Sequence, residues 1–300
     1  MNSRNYYQLS SKVLLAIVIS ILIACGSDKK QSSDASKEFD DAQEQQKQML
    51  DSALRDIPPP SEIPYIIQST GADFNPNIIN DYKKYESYTI SAKKAAFNLG
   101  VYATDIGYLT SYGKTQDALN YMDVCLKLTE TVGAQDAVDF QALERFENNL
   151  SNADSLANII DQVIANSDNY LGANDRNNIA ALMIGGTFIE ALYIATQIID
   201  TYPKDILPDD MRMQVLSPLV RMLVDKKESL KDVIALLESV ENKEDWELAT
   251  INSLNELYDN YTKFDPEGKI KEGRGNEVLN DEVLSRLTNQ VDSIRTNVVY

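Results

Sequence analysis

The stretch Ile179–Ile199 (IAALMIGGTFIEALYIATQII) restricts the possible folds more than any other part of the chain. It is an apolar run of about twenty residues with a single charge, Glu190. Such a run either crosses a bilayer or lies at the centre of a large helical protein. Glu190 sits near its middle, together with Thr187, Thr196, Gln197 and the Gly185-Gly186 pair. An ionised acid facing lipid is costly enough to be rare. The run is followed by Asp200, Tyr202 and Pro203, with no Lys/Arg cluster to orient a span. The expectation is therefore a buried core helix.

An earlier stretch, Ala95–Tyr108 (AAFNLGVYATDIGY), matches the first part of this one, Ala180–Tyr193 (AALMIGGTFIEALY). Both read Ala-Ala, a Gly five residues after the first Ala, an acid five residues after that Gly, and a Tyr three later. Around the earlier copy, Ala92, Ala96, Gly100, Ala103 and Gly107 form a stripe of small residues at helical spacing. Glycine inside a helix costs about 1 kcal/mol relative to alanine, so two on one stripe suggest that another backbone must come close.

From Asn77 onward the sequence reads as helix after helix, with Gly and Pro at the breaks and no sustained alternation of the kind strands show. The segments are a short one at Asn77–Tyr85, then Ile90–Tyr112, Gln116–Thr131 closed by Gly133, 134–150, 154–167, 177–200, 209–226 (with Pro218 inside), 229–241 and 244–263. Asp265–Asn276 is a Gly-rich charged loop without the ending of a phosphate-binding loop. Residues 279–298 hold a final amphipathic helix, through Val283, Leu287, Val291, Ile294 and Val298. The expected class is all-α, a multi-helix array of antiparallel helices. A duplicated four-helix unit, with repeats 88–170 and 173–264, stays open beside chance similarity between two Ala/Gly-rich helices.

Ahead of this body, residues 39–76 read as a polar helix stopped by Pro58-Pro59-Pro60, then an irregular apolar segment at Glu62–Phe74. Residues 25–38 are small, polar and charged, without periodicity, as a flexible tether would be. Residues 1–24 carry Arg4, Lys12 and the apolar run Val13–Ile23, in the order of a signal peptide, followed by Leu22-Ile23-Ala24-Cys25. This ending resembles the lipobox of bacterial lipoproteins. The resemblance implies removal of residues 1–24, acylation of Cys25 with palmitate among its chains, and attachment to a membrane. By analogy with proteobacterial sorting, Gly26 and Ser27 in place of an acid imply the outer membrane. The whole chain has a formal charge of −18, and removing Arg4 and Lys12 makes it more acidic. So acidic a surface repels phosphate backbones, so no nucleic-acid partner is expected. The expected partners are the membrane, through the lipid, and an envelope protein.

With Cys25 acylated only Cys125 remains, flanked by Tyr121, Met122, Leu126 and Leu128, and no internal disulfide can form. The chain contains no histidine, which removes Ser-His-Asp and Cys-His catalysis and His-based metal sites. No cofactor, catalytic residue or metal ligand is expected. The sharpest candidate for a ligand site is the repeated acid–tyrosine pair, Asp105/Tyr108 and Glu190/Tyr193, three residues apart and on one helix face in each case. If the two long helices pack together, the acids could share a proton, bind a hard cation, or act as acid and base. The competing reading is that each acid is satisfied by tyrosine, lysine or backbone at the domain centre.

Gly113-Lys114, Ala118, Cys125-Leu126 and Leu128 resemble positions of a tetratricopeptide hairpin, without the expected Trp, Leu-Gly and Pro positions or a period near 34. Two functional classes follow. One is a non-catalytic lipid-anchored helical module for binding or scaffolding. The other is a ligand- or cation-binding protein using Asp105 and Glu190.

Overall fold

The helix ends fall where the sequence supplies caps. Helix α2 (Ala92–Ser111) starts at Ser91, whose extended backbone lets its hydroxyl accept from the Lys94 amide at 3.5 Å. It closes at Gly113, with φ +64°. There the Lys114 amide donates to Leu109 O at 2.9 Å and the Gly113 amide to Thr110 O at 3.0 Å. That pair of bonds needs a left-handed residue, which glycine supplies without a Cβ penalty. The chain turns at once into α3 (Thr115–Val132), which ends the same way at Gly133.

The computed structural model describes residues 44–46, 48–50, 62–133, 177–224, 227–263, 266–274, 277–278 and 282–300. The expected signal peptide and tether, Cys25, the proline triplet and the helices expected at 134–150 and 154–167 lie outside the described residues. Residues 46–300 form one compact unit.

The protein is all-α. Besides α2 and α3, the described helices are α1 (Glu62–Thr70), α4 (Asn177–Thr201), α5 (Asp209–Val224), α6 (Lys227–Ser239), α7 (Asp245–Lys263), α8 (Pro266–Lys271) and α9 (Glu282–Val299), with a 3-10 helix at Tyr82–Ser87. Two expectations from the sequence are corrected. Glu62–Thr70 is helical instead of irregular, because Pro64 lies in the first turn, where its missing amide costs nothing. Irregular chain is confined to the following stretch, 71–81. The charged loop expected at Asp265–Asn276 contains the short helix α8.

Helices α2 and α4 form the centre. Almost all of α4 is buried by its neighbours, Glu190 included. It is long and apolar enough to cross a membrane by composition, and here other helices cover it. Each buried Leu or Ile on it contributes about 1.5–3 kcal/mol. Sequence neighbours such as α2 and α3 pair as tight hairpins, whereas α2 and α4, distant in sequence, run in the same direction. At their N-terminal ends both touch the turn after α6: Lys93 Nζ donates to Glu241 O and Asn242 O, and Asn178 Oδ1 accepts from the Glu241 amide. At their C-terminal ends both reach α1: Gln68 donates to Ser111 O and Tyr202 to Thr70 O.

The crossing point is a backbone contact. A Cβ placed on Gly100 would collide with Met183 O, and one on Gly186 would collide with Phe97 O. Neither position has room for alanine. Around it Thr104 donates to Gly100 O and Thr187 donates to the same carbonyl from the other helix. Of the small-residue stripe on α2, Gly100 makes this approach. The final helix α9 packs on α4 and α7 and reaches α2.

Candidate functional site

One turn beyond the glycine crossing, α2 brings Asp105 and α4 brings Glu190 to the same place. Both are fully buried. Their carboxyl groups lie within hydrogen-bonding reach of each other, a contact that holds only when one of them carries a proton. A third helix decides which. Arg295 of α9 clasps Glu190 with both sides of its fork, Nε to Oε2 at 3.1 Å and Nη2 to Oε1 at 3.0 Å. Bidentate pairing of this kind fixes Glu190 as the carboxylate. Asp105 receives only the Asn80 amide, which donates to Oδ2 at 3.1 Å, while Oδ1 finds no donor among the described residues. Burial, and after it the charge of Glu190, push the Asp105 pKa well above the ordinary carboxylate range, with Arg295 and the Asn80 amide opposing. Asp105 is therefore the acid that keeps its proton. Burial by itself would lower the Arg295 pKa, but Glu190 more than offsets it and the guanidinium is held charged.

The tyrosines expected beside the acids take other partners. Tyr108 donates to Asn75 O at 3.2 Å and accepts from the Asn75 amide at 2.9 Å, pinning the irregular stretch before the 3-10 helix. Tyr193 lies under the Arg295 guanidinium, 4.5 Å from ring centre to carbon. All four candidate residues are buried, and the structure brings the two acids together while turning both tyrosines to other work. Burial pushes the Cys125 thiol up, so it stays a protonated, small, apolar group.

Sequence reasoning misses Arg295, although its position carries a signal. It follows Val291 by four residues on the apolar stripe of α9, where a charge must find a buried partner. Asn80 is missed because it acts through its backbone, which no side-chain pattern reveals.

The cluster cannot hold a hard cation without losing Arg295, which already stands where a cation would balance Glu190. Acid–base chemistry on a ligand would need solvent access that neither acid has. A cleft of about 400 Å³ lies beside the cluster, between the stretch 74–84, α3 and α9. Arg295 and Asn80 line it, with Tyr82, Lys84, Tyr121 and Tyr300. Tyrosine hydroxyls tie down the chain around it: Tyr121 donates to Asn80 O at 2.6 Å, Tyr102 to Asp81 O at 3.0 Å, and Tyr88 to Val299 O at 2.8 Å. No protein-family model matches the chain, and neither a curated protein nor a solved structure does.

Proposed function

We propose that this chain is a lipid-anchored envelope protein, held at the outer membrane through Cys25, whose helical body is a non-catalytic binding or scaffolding module. The observation that carries the second half is the state of the central acids. Asp105 and Glu190 converge, but they are sealed from solvent and neutralised by one proton and by Arg295. That arrangement joins α2, α4 and α9 and leaves no group there for chemistry on a substrate. The anchor is supported by the order of charge, apolar run and Leu22-Ile23-Ala24-Cys25. The reading in which Asp105 and Glu190 bind a ligand or cation has no specific observation in its favour, because the guanidinium fills the position such a cation would take.

Two measurements test the proposal separately. Metabolic labelling with palmitate should mark the wild type and leave Cys25→Ser unlabelled and out of the membrane fraction; labelling of the Ser form would remove the anchor. An envelope partner captured by crosslinking should persist in an Asp105→Asn form. Its loss from a form that remains folded would return function to the central acids.

A further inference from the structure

The cleft beside the central cluster is lined by two cations, Lys84 and Arg295, and two acids, Asp81 and Asp117. The cations flank Tyr300. The Lys84 Nζ lies 3.5 Å from the centre of its ring, and Lys84, with a smaller contribution from Arg295, lowers the pKa of its hydroxyl. The acids stand toward α3. Asp117 lies in the first turn of that helix, and Asp81 joins burial and Asp105 in raising the pKa of Tyr121 on it. Among the described residues no ion pair joins either acid to either cation. The cleft thus keeps its two signs of charge apart.

Each of these groups has bonding capacity left. Arg295 spends Nε and Nη2 on Glu190. Its Nη1 makes no hydrogen bond among the described residues and is not sealed, on a side chain that lines the cleft. Lys84 has the Tyr300 ring beside it and no acid partner among the described residues. Asp81 spends one oxygen on the Lys83 amide at 3.0 Å and keeps the other. A guanidinium edge near an ammonium suits a carboxylate, and a pair of carboxylates suits an ammonium. The Arg295 charge is already matched by Glu190, so a plain anion would meet one unmatched cation, two acids and a chain at −18. A plain cation would meet Lys84 and the guanidinium. A zwitterion is neutral overall and sets each pole against its opposite. Phe74, Ile79 and Tyr82 add apolar wall for a side chain, and about 400 Å³ falls in the range of about 300–1,000 Å³ usual for small-ligand sites.

We propose that this cleft binds a small zwitterion, a free amino acid or a dipeptide, with its carboxylate toward Arg295 and Lys84 and its ammonium toward Asp81 and Asp117. The inference rests on the reading of the helical body as a binding module and names what it binds. The test is saturation-transfer NMR on the full chain in detergent, with protein-free micelles as the blank. The probes are leucine and glycylleucine at about 10 mM, a level that detects millimolar affinity. Two halves of leucine serve as controls: 4-methylvalerate lacks the ammonium, and 3-methylbutylamine lacks the carboxylate. The expected result is transfer to at least one zwitterion, with each half bound about tenfold more weakly or not at all. Lys84→Gln and Asp117→Asn should each lower the zwitterion's affinity about tenfold. Lys84 is half-buried and Asp117 exposed, so folding is not at stake in either. Silence from both zwitterions, equal affinity for either half, or affinity unchanged in either variant would overturn it. A negative result leaves palmitate labelling and partner capture untouched, so the two readings fail separately.

Discussion

Helices α2 and α4 carry the same Ala-Ala, Gly, acid, Tyr series, and the fold treats the two copies differently at every step. The sequence match pairs Gly100 with Gly185. The packing pairs Gly100 with Gly186 instead, each glycine lying against the carbonyl three residues before the other, while Gly185 faces Leu237 of α6. One residue along a helix is a rotation of about 100°, enough to exchange a backbone neighbour for a side-chain neighbour. The acids diverge further. Glu190 has a guanidinium and is ionised; Asp105 has one backbone amide and a neighbouring carboxylate, and keeps its proton. Two carboxylic acids at the same place in matching series thus take opposite charge states, because a pKa is set by what surrounds a group rather than by what precedes it in the chain.

The largest test of this contrast is to remove the charge from each acid in turn. Glu190→Gln leaves Arg295 charged and buried without its counter-ion, and the expected cost is about 3–5 kcal/mol in chemical denaturation. Asp105→Asn keeps the shape of a protonated acid, with an oxygen for the Asn80 amide and a donor for Glu190, and should cost far less. Equal losses would show that both acids are ionised.

Next comes the glycine register. Gly186→Ala or Gly100→Ala drives a methyl into a backbone carbonyl, so about 3 kcal/mol is expected, at the upper end for overpacking. Gly185→Ala meets Leu237 Cδ2 at 2.9 Å, the end of a side chain that can turn away. It also regains helix propensity of up to about 1 kcal/mol, so its net effect should be small. If Gly185→Ala proved the worse change, the crossing would follow the sequence match after all.

A smaller effect separates the tyrosines. Tyr108→Phe removes both bonds to Asn75 and should lower stability by about 1 kcal/mol, whereas Tyr193→Phe keeps the ring under Arg295 and should be nearly neutral in the same denaturation curves. A separate test, of about 1.4 kcal/mol per pH unit while only the folded group holds its proton, is the pH dependence of the Asp105→Asn comparison. Below about pH 4 both the folded and the unfolded wild type hold the Asp105 proton. As pH rises, the unfolded chain releases it first, because the folded pKa is raised. Wild-type stability relative to the Asn variant should therefore fall with rising pH until the folded group ionises. A difference that stays flat from pH 4 to 8, or grows, would mean Asp105 is not protonated in the fold.

Much of the helical layout is legible in the residues themselves. Ser91 and Gly113 bracket α2, Gly133 ends α3, and the apolar run of α4 with its single acid reads as a core helix, because caps and periodicity are local properties of the chain. Glu62–Thr70 reads as irregular since proline inside an apolar stretch marks either a break or a helix start, and only packing against α2 and α5 chooses between them. The repeated motif raises the convergence of Asp105 and Glu190 as a possibility, but their distance from Arg295 along the chain hides the partner that separates their charge states.

The order of residues alone makes the chain helical, acidic and without histidine, and requires that Ile179–Ile199 be covered. Which glycines touch and which acid is ionised are settled only when the helices assemble. The physical reason is range. Caps, turns and apolar periodicity act over a few residues, whereas close backbone packing and the protonation of a buried group depend on atoms that different helices bring together.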